Sequence, residues 1–293
     1  MHNGVMTTAL HLHRDGLRCE IAPGLGGCIA GLWLNGVPVL RSTPAAQLAT
    51  ARQSGSYPLV PFSNRLAHAA LQWQGTSHPL VRNNGDEPHA IHGVGWQRPW
   101  GVLDSADDFA LLSYEHRGDS GWPFAFDASQ TFRVSPDALE CTLSVTNQSQ
   151  HAAPLGLGWH PWFVKRPGAR VSFQAEGRWE MGADKLPTHR LPSSGMDADG
   201  DTLDVDHCFD GWRGSVVLTD AQLRTRLSAN LSRLVVFTQP SRDAIAIEPV
   251  SHVNNALHLA ARPGLTPDAL GLKVLSPGES FSATMTIQTE TVA

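Results

Sequence analysis

The chain has 293 residues with 22 basic and 27 acidic side chains, a formal charge of −5 and a mean hydropathy of −0.18. A hydrophobic fraction of 41% can fill a sizeable core at this length, and a charged fraction of 17% is too low for a disordered polyampholyte. The acidic balance argues against a nucleic-acid partner, and no apolar run approaches the roughly 18 residues of a membrane helix. The first six residues lack a basic stretch followed by an apolar one, so a secretory signal is not expected and the chain reads as cytoplasmic.

Taken along the chain, the 27 Gly and 20 Pro punctuate short segments throughout, which favours strands and turns over long helices. Gly24-Leu25-Gly26-Gly27 resembles a nucleotide-binding loop only superficially, because no βαβ pattern surrounds it. The best helical stretch, 44–52, is brief. Residues 138–146 alternate, with Leu139, Cys141, Leu143 and Val145 on one face, as in a half-buried strand. Residues 193–201 are polar and contain glycine, and read as a surface loop without the spacing of a calcium site. Segments 216–219, 233–238, 244–248 and 281–289 read as further strands, the third stopped by Pro249. Strand segments recur from residue 17 to residue 289 without a linker, so one antiparallel β-sandwich or barrel-like domain is expected. Cys19, Cys28, Cys141 and Cys208 are scattered and read as free thiols. His2, His11 and His13 form no ligand pattern.

Four places differ from ordinary strand and turn sequence. In Tyr57-Pro58-Leu59-Val60-Pro61-Phe62-Ser63-Asn64-Arg65, two prolines stiffen the approach to a polar pair, and Arg65 could meet sugar hydroxyls or a carboxylate. In the stretch from Pro88 to Trp100, His89 and His92 precede a Gly-x-Gly run, and Trp96 and Trp100 could stack on a sugar ring. The three-residue spacing of the two histidines could suit a metal, but no carboxylate accompanies them in a helical pattern, so none is expected. In Gly158-Trp159-His160-Pro161-Trp162-Phe163, a histidine sits between bulky aromatics, where desolvation could shift its pKa. In Ile245-Ala246-Ile247-Glu248-Pro249, a carboxylate ends an apolar run, and glutamate is rarely buried unless paired. Read singly, each has an ordinary structural explanation: a surface arginine, a glycine turn over core aromatics, a satisfied core histidine, a solvated strand end. Read together, one carboxylate, two histidines and an arginine on stiff segments suit proton transfer on a polar, neutral small molecule.

Pro58 to Arg65, His89-Ala90-Ile91-His92-Gly93, Gly158 to Phe163, Asp206-His207-Cys208-Phe209 and Ile247-Glu248-Pro249 occur in the order seen in aldose 1-epimerases, and the resemblance spans about 20–290. It implies a large antiparallel β-sandwich of the galactose mutarotase type, with few short helices and a cleft on one concave face. It further implies a cofactor-independent isomerase acting on a free aldohexose, as a monomer or homodimer. By the resemblance, Glu248 is the general base on the anomeric hydroxyl, His160 the general acid on the ring oxygen, and His92 a second histidine near that oxygen. Arg65, Asp206 and Asn64 would hold sugar hydroxyls, with Asp210 as the alternative to Asp206. Trp162 and Val164 stand where many members have Tyr and Asn, which enlarges the apolar wall and bears on sugar choice.

Such a reaction needs a proton taken from O1 as one reaches O5, which requires an ionised glutamate and a protonated histidine. Two other functions fit the same fold: a sugar-binding protein without turnover, and a hexose-6-phosphate 1-epimerase. The latter would need a basic cluster, for which Arg98 and Lys165-Arg166 are the candidates.

Overall fold

The computed structural model describes residues 8–292. Nine antiparallel strands form one sheet in the order Gly101–Ala106, Phe109–His116, Phe126–Val134, Ala138–Asn147, Ser280–Thr291, Leu223–Ala229, Ser215–Thr219, Arg170–Phe173 and Met196–Asp199. A second sheet runs Pro187–Pro192, Gly177–Met181, Val205–Asp210, Arg233–Thr238, Ala244–Val250, Gly158–Trp159 and Pro58–Leu59, with Trp162–Val164 also pairing with Ala244–Val250. Leu10–Arg14, Leu17–Ala22, Cys28–Leu34 and Val37–Pro38 make a smaller sheet. The architecture is a large antiparallel β-sandwich. One contiguous apolar core extends from Leu12 to Ile287.

Period-two alternation accounts for most of this. Leu139, Cys141, Leu143 and Val145 are all essentially inaccessible, and each buried Leu or Val of such a row contributes roughly 1.5–3 kcal/mol. The four cysteines are buried and unpaired. His2 lies outside the described residues. His11 and His13 are exposed on the strand Leu10–Arg14, which begins ahead of the first strand expected from sequence.

Three local expectations are corrected. The stretch 44–52 is not a helix but two 3-10 turns, Ala45–Gln47 and Ala51–Gln53, separated by the extended residue Leu48. The acidic stretch 193–201 contains the edge strand Met196–Asp199, because Met196 and Ala198 alternate with Asp197 and Asp199, and Arg170 of the neighbouring strand reaches Asp197 at 2.7 Å. Pro249 does not stop its strand, which continues to Val250. Ile247 and Ser251 donate their N–H groups to the carbonyls of Pro161 and Leu157 on one side. By the alternation of the ladder, the missing N–H of Pro249 faces that same side, at the break between Gly158–Trp159 and Trp162–Val164. The break is where the chain carries His160.

Candidate active site

The register of the second sheet builds the cleft floor. Asp206 pairs with Phe237, Phe237 with Ala246, and Ala246 with Trp162, so the four stand in one row across four strands. On the strand Ala244–Val250, Ile245 and Ile247 enter the main core, while Ala244, Ala246 and Glu248 face the other way. The two alanines leave open space beside Glu248. The cavity above this row has a volume of about 480 Å³. Glu248, His160, His92, Arg65, Asn64, Asp206 and Trp162, proposed from sequence as site residues, all line it.

The break opposite Pro249 sets the central contact. His160 N–H donates to the carbonyl of Tyr57, and the ring lies 5.0 Å from Trp162 in a stacked arrangement and 4.7 Å from Tyr57. His160 Nε2 then lies 3.2 Å from Glu248 Oε1. Both side chains are deeply buried, and Glu248 Oε2 and His160 Nδ1 have no hydrogen-bond partner among the described residues. Burial pushes Glu248 well above the usual carboxylate range, and Asp206 adds to the rise. Burial lowers His160 to about 3, helped by Arg41 and Arg52. The pair is therefore biased toward its neutral form, a carboxylic acid beside a neutral imidazole, rather than the ion pair expected from sequence. The two forms contain the same single proton and differ only in which side of the 3.2 Å contact holds it.

His92 is aimed by Asn64. Asn64 N–H donates to His92 Nδ1 at 3.1 Å, which leaves the ring proton on Nε2. Burial and the neighbouring His160 hold His92 well below the ordinary histidine range, so it is a neutral donor. Asn64 and His92 both sit in the left-handed region, at φ 54° and φ 60°. Arg65 donates from Nε to Glu87 at 2.9 Å, and both side chains are largely buried. That bond outweighs the effect of burial and holds Glu87 low.

The structure separates several sequence alternatives. Asp206 lines the cavity, where burial raises its pKa, whereas Asp210 is held by Arg190 Nε at 2.8 Å and Trp179 Nε1 at 2.9 Å outside the lining. Trp96 reaches the cavity, but Trp100 is core and donates to the Gly95 carbonyl. His89 uses Nδ1 to accept from His68 N–H and Nε2 to meet the Asp184 carbonyl, so it does not join His92. Among the described residues no group of three or more metal-ligating side chains is assembled. Gly26 and Gly27 have positive φ in a turn, where a Cβ on Gly26 would lie 2.1 Å from the Trp96 carbonyl oxygen, so the glycines serve packing.

Neither basic candidate for a phosphate faces the cleft. Arg98 pairs with Asp119, Arg166 pairs with Asp220, and Lys165 caps the carbonyls of Gln239 and Pro240. Sequence reasoning missed Arg41, Arg52, Lys185, Arg242 and Glu87, all in the lining. Each lies outside the strand segments and motifs that drew attention, and only the tertiary fold collects them.

A sequence model of the family described as Aldose 1-epimerase matches residues 9–288. The uncharacterized protein YphB of Escherichia coli K12 is 31% identical over 283 residues, covering 90% of this chain and 93% of that protein. A solved Escherichia coli K12 structure superposes with a TM-score of 0.86 at 29% identity, covering 97% of this chain and 99% of that one. A galactose 1-epimerase from Lactobacillus acidophilus NCFM shares the fold at 16% identity, with a TM-score of 0.77 and 97% and 95% coverage of this chain and that one. With its strand order, its cleft and this match over nearly the whole length, the chain belongs to the aldose 1-epimerase family.

Proposed function

We propose that the protein is a cofactor-independent mutarotase that interconverts the α and β anomers of an aldohexose. The observation that carries this reading is the 3.2 Å contact between His160 Nε2 and Glu248 Oε1 at the floor of a cavity that suits a single pyranose. A pyranose presents O1 and O5 on the same carbon, so one adjacent carboxylate and imidazole can serve both.

The proton balance closes on this pair. Starting from the ion-pair form, Glu248 takes the proton of the O1 hydroxyl, the C1–O5 bond breaks as C1=O1 forms, and His160 gives its proton to O5. The pair is then a carboxylic acid and a neutral imidazole, which is the form its burial favours. Rotation about C1–C2 presents the other carbonyl face. Reclosure returns the acid proton to O1 and the O5 proton to His160. Burial thus favours the protonation state of the open-chain stage, ring opening starts from the less favoured ion-pair form, and each group contributes roughly 10²–10⁴-fold. The Nε2–H of neutral His92 would steady the charge developing on O5. Arg65 and Asp206 would hold ring hydroxyls, with Trp162 as the apolar wall.

A binding protein without turnover would have no use for two buried titratable groups in contact, each shifted against its ordinary value. The test is anomer-exchange NMR on a panel of aldoses at equilibrium, with Glu248→Gln beside the parent protein. Faster exchange by the parent alone is the expected result. Sugar binding without faster exchange would replace this reading with the sensor.

A further inference from the structure

Lys185 lines the cavity, yet neither the sequence motifs nor the acid–base pair accounts for it. It stands at the tip of the hairpin formed by Gly177–Met181 and Pro187–Pro192. The tip is tightly bonded. Lys185 N–H donates to the Gly182 carbonyl at 2.9 Å, Gly182 N–H to the Leu186 carbonyl at 2.9 Å, and Leu186 N–H to Asp184 Oδ1 at 3.1 Å. Lys185 itself lies in the left-handed region at φ 60°, where glycine is the residue accepted without strain. A long charged side chain kept there, and turned into the cleft, points to a use for that side chain.

A buried histidine fixes the tip against the cleft. His89 accepts His68 N–H on Nδ1 at 3.0 Å, so its proton is on Nε2, which donates to the Asp184 carbonyl at 3.0 Å. That bond ties the hairpin to the segment that carries Glu87 and His92, both in the lining, while His89 itself stays outside it. Electrostatics then locate the ammonium. Lys185 favours the ionised forms of both Asp206 and Glu87. Among the described residues, however, no carboxylate lies within salt-bridge distance of it, and Glu87 is already bonded to Arg65 at 2.9 Å. Asp206 and Arg65 act on Glu248, whereas Arg41 and Arg52 act on His160. Through Asp206, Lys185 belongs to the Glu248 side of the cleft.

We infer that Lys185, positioned by His89, is a specificity residue that donates to the oxygen on C2 of the bound aldose, so that the protein selects 2-hydroxy aldoses over 2-deoxy and 2-amino ones. This rests on the proposed mutarotase reading, which places O1 at Glu248 and O5 at His160. Besides O1 and O5, C1 bears only a hydrogen and C2. The ring therefore continues from Glu248, away from His160, through C2, toward the side where Asp206 and Lys185 stand. An ammonium has three donors and no acceptor. It can bond a hydroxyl oxygen while Asp206 accepts that hydroxyl's proton. It gains nothing from a methylene, and it repels a second ammonium.

The experiment is two-dimensional exchange NMR of glucose, 2-deoxyglucose and glucosamine in its ammonium form, with the parent protein, Lys185→Met, Lys185→Gly, His89→Leu and His89→Gln. The parent is expected to give kcat/KM about tenfold higher for glucose than for 2-deoxyglucose, the scale of one hydrogen bond to a charged group. Both Lys185 variants are expected to lower that ratio about fivefold, by loss of the same bond, and to raise turnover of glucosamine relative to glucose. Lys185→Gly suits φ 60° and should melt no lower than the parent, which separates lost selectivity from lost folding. His89→Leu should lower the ratio as well, and His89→Gln, which keeps a donor for the Asp184 carbonyl, should restore most of it. A ratio near one in the parent, or one that both Lys185 variants leave intact, overturns the role of Lys185 and leaves the mutarotase reading standing. A parent-like ratio in a folded His89→Leu overturns the positioning by His89. If the parent accelerates no sugar, the mutarotase reading fails. Calorimetric titration of glucose and 2-deoxyglucose then decides the role of Lys185 alone, and equal affinities in the parent overturn it.

Discussion

Asn64 and His92 hold each other in place through their backbones: His92 N–H donates to the Asn64 carbonyl at 2.9 Å, and Asn64 N–H returns a bond to the His92 ring at 3.1 Å. Both residues adopt positive φ, which a non-glycine residue accepts only where its surroundings demand it. Asparagine tolerates this region better than most residues, and its Oδ1 also accepts Arg65 N–H at 2.8 Å. Asn64→Val should strain the turn and misdirect His92, lowering kcat about tenfold in an anomer-exchange assay, since catalytic geometry is sensitive to small displacements. Asn64→Gly relieves the strain but loses the Oδ1 bond, and should fall between the two. Equal activity for Val and the parent would show that the turn does not govern the His92 ring.

Glu248→Gln should abolish exchange, by at least about 10²-fold, and also make the protein more stable by about 1–2 kcal/mol at pH 8. The native carboxyl is raised above its unfolded value, so its protonated form is the one the fold accommodates. Stability linked to this group is present below the unfolded carboxylate range and is lost as pH rises through the folded value. Gln mimics the neutral acid at every pH. The gain over the parent in urea melts should therefore grow from pH 5 to pH 8, and a gain that stayed flat with pH would contradict the raised pKa.

The strands were legible because alternation survives in the sequence: 138–146 and 281–289 fall within Ala138–Asn147 and Ser280–Thr291. The course of Ala244–Val250 past Pro249 was not, since a proline is compatible with an interior strand only if its neighbour is interrupted there, and that interruption belongs to a segment nearly ninety residues away. The seven site residues were named through short motifs and a family resemblance, and they share one cavity. The bias of Glu248 and His160 toward a neutral pair had no signal in the motifs, because the burial that sets it, with His160 packed between Tyr57 and Trp162, is a property of the assembled cleft. Arg41, Arg52 and Arg242 had no signal at all, because isolated arginines are ordinary in surface loops.

Arg65→Lys should raise KM about tenfold with a smaller change in kcat. The pair with Glu87 uses the Nε edge of the guanidinium, which leaves the Nη groups for substrate, and a lysine ammonium cannot divide itself in that way. A rise in KM at nearly constant kcat is the signature of lost uniform binding. Glu87→Gln should act in the same direction by freeing a largely buried cation from its partner. A fall in kcat with KM unchanged would instead assign Arg65 to the chemical step.

His252 gives the fold an acid-sensitive brace under the cleft. Its Nε2 accepts Ser63 N–H at 3.2 Å and its Nδ1 contacts the Val253 carbonyl at 2.9 Å, so the neutral ring is fully used by the chain leading into Asn64. Burial lowers its pKa to about 4, partly opposed by the Val253 carbonyl. Between the unfolded value of about 6.5 and the folded value, the unfolded chain binds a proton that the native protein refuses. The stability contributed is fully present above pH 6.5 and is lost as pH falls through the folded pKa, by about 3 kcal/mol at 1.36 kcal/mol for each pH unit. His252→Asn should be less stable than the parent at pH 7 yet lose less of its stability between pH 6.5 and 4.5, as read from urea melts at each pH. Parallel pH profiles for the two proteins would show that the acid sensitivity arises elsewhere, with the buried His160 as the next residue to replace.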